Sequence, residues 1–216
     1  LSTRPLNDQA VARGGDNILL ALWLYNITGQ NYLLELCRRL REQTLDWPSY
    51  FHTFPNPQPL SRSLRWPRLK EALREEKDDP LEGEHRPYFH TQFCQTNGEN
   101  IAIGLRTPGA INLFKSGFKE QGGFRFGWEK LMKYHGVASG VFTADDHING
   151  SSPTQGTTLT AVCELLTSLE VLAGMGDMPR DIPDVFEKIA FNTLPAAWSH
   201  DMRRMQRLEQ ANQVLV

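Results

Sequence analysis

Three times along this chain an apolar helix is followed by a short Gly-containing turn and then by a two-faced helix. This repeated unit constrains the fold more than any other feature, because each pair must bury one member and half-bury the other. In the first pair Asp16 caps a helix through about Ile27, and Thr28-Gly29-Gln30 makes the turn. The next helix gathers Leu33, Leu36, Cys37 and Leu40 on one face, with Arg38, Arg39, Arg41 and Glu42 elsewhere. The second pair runs from about Glu99 to Lys115 and breaks at Gly122-Gly123. It resumes with Trp128, Leu131 and Met132 set against Glu129, Lys130 and Lys133. The third starts near Thr157, with Leu159, Val162, Cys163, Leu166, Leu169 and Leu172 at helical spacing. After Gly174-Met175-Gly176-Asp177 a last helix is capped by Asp181, opens at Pro183 and carries Val185, Phe186, Ile189 and Ala190.

The expected fold is therefore all-α. Antiparallel helix pairs with inner and outer members suit part of an (α/α)6 toroid, with a plain helical bundle as the alternative. The unequal spacing of the pairs argues against a regular TPR or HEAT solenoid. With 216 residues, 40% of them hydrophobic, the chain reads as a single, partial toroid domain over 1–216. A Pro-rich, charged excursion interrupts it at about 54–90. Within that stretch Pro67 to Lys77 has the pattern of one exposed helix, its Glu and Lys/Arg residues alternating as a solvated face.

Lys and Arg total 23 against 25 acids, so a formal charge of -2 offers no general attraction to nucleic acid or to an anionic membrane. The apolar run from Ile18 to Tyr25 falls far short of the ~20 residues that span a bilayer, and reads as core. Cys37, Cys94 and Cys163 lack metal-ligand spacing, and Cys37 and Cys163 sit on helical stripes as small hydrophobes. Leu1 in place of Met and the apolar Val214-Leu215-Val216 read as the edges of a longer chain, so no compartment is assigned. Roughly half the helices of a closed ring are present. Inner helices without neighbours would lead the isolated chain to self-associate.

Chemistry concentrates at Asp145-Asp146-His147-Ile148-Asn149, between Gly140 and Gly150 and just before an apolar helix. Turn capping by Asp145 and Asn149 is the bland alternative. The paired acids are not a helical Mg²⁺ motif, because glycines bracket them in a loop and no basic residues stand nearby to meet a diphosphate. Glycoside cleavage needs an acid to protonate the leaving oxygen and a nucleophile or base opposite it. Asp146 suits the acid, while His90, His147 and Glu99 remain open as its partner. Trp23, Tyr25, Trp47, Tyr88 and Trp128 offer sugar-stacking faces, although at helical spacing an aromatic more often serves the core.

Several segments are similar to the catalytic domain of the β-L-arabinofuranosidase family, glycoside hydrolase family 127. They are Asp145 to Glu170 with its Ser-Pro-Thr-Gln-Gly run, Phe186 to Ala197, Gln210 to Gln213, Trp23 to Gly29, Glu42 to Trp47 and Glu129 to Gly136. The resemblance implies an (α/α)6 toroid that hydrolyses terminal arabinofuranosides of plant-type glycans, with carbohydrate as its partner. It places Asp146 as acid/base and Asn97, His147, Gln155, Thr158 and Thr160 at the sugar, Asn97 standing about where many members have a histidine. Family members hold zinc through one glutamate and three cysteines, one of which attacks the sugar. Here Thr158-Leu159-Thr160 replaces the Glu-x-Cys of that pattern, so two zinc ligands are missing and no metal residue is assigned. Two readings stay open: a hydrolase with altered chemistry, and a non-catalytic carbohydrate-binding relative that has lost its zinc. A helical structural protein with no ligand is the third.

Overall fold

A computed structural model describes residues 6, 8–59, 94–115, 122–148, 150–151, 156–175 and 179–209. Most of the Pro-rich excursion, with Tyr88 and His90, lies outside the described residues, as does Gln155. The described chain is mostly helical: α1 (Asp8–Ala12), α2 (Gly14–Thr28), α3 (Tyr32–Gln43), α4 (Trp47–Thr53), α5 (Gly98–Asn112) and α6 (Gly123–His135) come first. Three short strands follow, β1 (Ala144–Asp145), β2 (His147–Ile148) and β3 (Thr157–Thr158). Then come α7 (Leu159–Met175) and α8 (Ile182–Lys188), which passes through a π-helical turn (Ile189–Thr193) into α9 (Leu194–Ala196), and finally β4 (Leu208–Glu209). Among the described residues no helix is long and apolar enough to cross a membrane.

Helices α2, α5 and α7 run parallel, because their starts meet. Arg13, just before α2, bonds Glu99 and Asn100 at the start of α5, while Ile18, Ala21 and Leu22 cluster with Ala110 and Ile111 further along. At the other flank Gly98 faces Ala161, and the Ser168 hydroxyl donates to the Ala102 carbonyl. Each of the three is followed by a helix returning the opposite way. Helix α3 folds back so that Cys37 meets Ile18 and Thr44 meets Val11; α6 ends beside the strands near which α5 begins, and α8–α9 leads back towards β4. Gly29 makes the first reversal in a left-handed conformation (φ 66°) that favours glycine.

Helix α5 is buried almost throughout. Gly104 lets it approach α4 closely, since a Cβ there would lie 2.5 Å from the Trp47 ring. Trp47, Tyr50 and Phe51 from α4, with Phe54 just after it, pack with Phe124 and Trp128 from α6 into one aromatic core. Trp47 and Trp128 are therefore core residues rather than sugar platforms.

One buried cation ties the three parallel helices together. Arg106, 4% exposed, reaches Asp16 of α2 at 2.6 Å and Glu164 of α7 at 2.7 Å, and also donates to Ser168 at 2.9 Å. The Asp16 carboxyl is thus spent on Arg106, and its expected capping role is corrected: α2 begins at Gly14 with no side-chain cap. Asp181 does precede α8, but its side chain makes no capping bond.

Two further expectations are corrected. Cys163 is exposed, not packed: α7 turns Ala161, Val162, Leu165, Ser168, Leu169 and Leu172 inward, which rotates the buried stripe away from it. Small Ala161 and Ser168 make the close approach to α5, and a count of large apolar residues does not reveal them. Helix α2, apolar all round, is covered on one side only, leaving Leu20, Trp23 and Ile27 about 60% exposed in one stripe. The strands themselves were not expected; they form one sheet in the order β2-β1-β3-β4.

Candidate functional site

The small sheet sits where α5 and α7 begin. Strand β1 pairs antiparallel with β2 and parallel with β3, and β3 pairs antiparallel with β4. Asp145 opposes His147, which leaves Asp146 alone at the tip of the β1–β2 hairpin, in a left-handed conformation (φ 68°). Aspartate tolerates that region better than most side chains, though still at some cost. The surroundings hold it there: the Asp146 carbonyl accepts from the Gly98 amide at 2.9 Å, and a Cβ on Gly98 would lie 2.6 Å from that of Ala144. A strained aspartate fixed by a helix start is a functional candidate on physical grounds.

The carboxylate of Asp146, 41% exposed, accepts from Arg207 at 3.0 Å. Arg207 is a linking residue, because its own carbonyl also accepts from Leu159, the first residue of α7, at 2.8 Å. His147 is buried, its Nδ1 lying 2.8 Å from the Thr96 hydroxyl, and its backbone bridges to Asn97. The Asn97 side chain accepts from the Asn100 amide at 3.1 Å and so caps α5. Thr158 does the same for α7, accepting from Ala161 at 3.3 Å, whereas Thr160 is exposed on the first turn. The geometry thus gathers Asp146, His147 and Asn97 at the start of α5, and Thr158 and Thr160 at the start of α7. Of the open partners for Asp146, Glu99 is paired with Arg13.

Glu209 was not singled out by sequence, and it is the most unusual ionisable group here. It stands on β4 opposite Thr157, only 9% exposed, and among the described residues its Oε1 has no hydrogen-bond partner. Burial pushes its carboxyl up to about 7. Its charge is felt by Cys163, whose thiol is raised by partial burial and then by Glu164 and Glu209. Such a thiol stays protonated at neutral pH and is a poor nucleophile.

Zinc does not fit these residues. The Thr158 hydroxyl is committed to α7, Thr160 offers another neutral oxygen, and among the described residues no group of three or more His, Cys, Asp or Glu comes together to hold a metal.

A second histidine anchors the far end of the hairpin. His135, the last residue of α6, is fully buried, its Nδ1 accepting from the Gly150 amide and its Nε2 donating to the Asn56 carbonyl, both at 2.8 Å. Thr143 returns the connection by donating its amide to the His135 carbonyl.

Comparison of the chain with family models, curated proteins and solved structures finds no match. The case for a function therefore rests on the corner itself. Arg207 and Glu209 belong to it although they lie some 60 residues from Asp146 in sequence, and two-residue strands carry no periodicity that would announce them.

Proposed function

We propose that this chain is a carbohydrate-active domain of the β-L-arabinofuranosidase type, built as part of an (α/α)6 toroid and acting on terminal arabinofuranosides. The array of parallel helices with antiparallel returns supports the toroid reading. One observation carries the functional part: Asp146 is held in a left-handed turn at the shared end of α5 and α7, with the buried carboxyl of Glu209 on the same small sheet. Glycoside cleavage uses two carboxyl groups in different protonation states. Asp146 at the tip and Glu209, which keeps a proton near neutrality, are the pair this chain offers. The reaction runs without zinc in this reading, because the described residues do not make its site.

Binding without turnover is the second reading, favoured by the commitment of Thr158 and Asn97 to helix capping. A panel of aryl arabinofuranosides separates the two, read for product release and for saturable binding by titration calorimetry. If the chain hydrolyses, Asp146→Asn lowers the rate by roughly 10²–10⁴-fold, the usual contribution of proton transfer, with an unchanged melt. Saturable binding with no product establishes the binding reading. Neither turnover nor binding by any pentofuranoside overturns both.

A further inference from the structure

We propose that His135 is an acid-operated latch: a proton on its Nδ1 breaks the bond from the Gly150 amide and loosens the Gly150 end of the hairpin that carries Asp146 and His147. The hydrogen bonds alone decide the resting state. An amide N–H can only donate, so the Nδ1 that receives Gly150 carries no hydrogen; a carbonyl can only accept, so the Nε2 facing Asn56 does carry one. His135 is thus a neutral Nε2–H imidazole, spanning the segment after α4 and the segment after β2. A second proton would set two N–H groups against each other at a buried side chain, leaving a charge with no counter-ion among the described residues.

Among the described residues nothing offsets that charge. From its own helix the neighbours are Lys133 and Tyr134, the ammonium lying over the tyrosine ring at 5.2 Å from the centroid. From the α4 side come the Phe54 ring, 5.9 Å from the imidazole, and Asn56; from the strands come Thr143 and Gly150. Among the described residues no carboxylate reaches the ring, and burial lowers the imidazole below its ordinary 6.5, outweighing the Asn56 bond.

The other ties of the hairpin do not titrate in this way. Gly98 still donates to the Asp146 carbonyl, and β1 still pairs with β3. The Thr143 hydroxyl also still donates to the Gly150 carbonyl, so acid removes the partner of the Gly150 amide and loosens that end of the hairpin, while the Asp146 turn keeps its bonds to Gly98 and Arg207. This latch is independent of which sugar, if any, the corner receives.

Hydrogen exchange of the Gly150 amide, followed from pH 8 to pH 4 and corrected for intrinsic rates, tests the proposal on the whole chain. Protection should hold above 6.5, fall by up to roughly tenfold per pH unit below it, and level off once the folded imidazole is itself protonated. His135→Gln, whose amide can accept from Gly150 and donate to Asn56, should keep the latch closed and remove the pH dependence. Imidazole ¹⁵N shifts of the wild-type chain give a reading that survives if that variant does not fold: Nε2–H at neutral pH, with a midpoint below 6.5. Protection of Gly150 that ignores pH, an equal pH dependence in His135→Gln, or an imidazole protonated at Nδ1 at neutral pH would each overturn the latch.

Discussion

Replacing Glu209 by glutamine should stabilise this protein at alkaline pH and change little in acid. The folded carboxyl titrates at about 7 against an ordinary 4.5, because burial disfavours the charged form. The fold thus favours protonated Glu209, so its contribution is fully present below 4.5, is lost between 4.5 and 7, and stays lost above. At 1.36 kcal/mol per pKa unit the penalty on the wild-type fold at pH 8 reaches at most about 3 kcal/mol. For a chain of this size that corresponds to about 6–12 °C in melting temperature. Strand β4 is a two-residue edge strand, so the chain can also relieve the penalty by detaching β4 from β3, which caps the thermal effect and shows as faster exchange of the β4 amides. Melts of wild type and Glu209→Gln at pH 4 and pH 8, with a carboxyl ¹³C titration of Glu209, measure both. A Glu209 midpoint near 4.5, together with equal melts at pH 8, would show the reasoning to be wrong.

Arg106→Met should cost about 3 kcal/mol in urea unfolding, the low end for a broken buried pair because Asp16 and Glu164 keep some solvent; an unchanged midpoint would mean the network contributes nothing net. The chain should retain no stoichiometric zinc after dialysis against a mild chelator, as read by elemental analysis, and one equivalent surviving would contradict the account of Thr158 and Thr160. Leu20→Glu combined with Trp23→Lys should shift any self-associated species towards monomer in analytical ultracentrifugation, since those side chains form the exposed stripe of α2.

Much of the helical layout was legible in sequence, because a 3.6-residue apolar period extends over several turns in α3, α6 and α7. The rotation of α7 was not. Val162 and Cys163 both fall at apolar spacings yet lie about 100° apart round the helix, and only the contact of Ala161 and Ser168 with α5 decides that Cys163 faces out. Asp16 looked like a cap for a similar reason: the residue that claims it, Arg106, stands 90 positions away. At the site, Asp146 announced itself through local composition. Arg207 and Glu209 did not, since their roles come from a sheet whose strands are too short to leave a pattern and whose pairing is non-local.

The position of Arg106 also bears on how the chain assembles. Its guanidinium sits in the middle of α5 and finds its two carboxylates at sequence separations of 90 and 58, one on each flanking helix. A partly formed array with α5 packed against only one neighbour would bury that charge with half its partners missing. Such states are disfavoured, so the three helices should dock as one cooperative unit rather than pair by pair. Because the closing contacts are distant in sequence, that docking belongs to the late and slow part of folding.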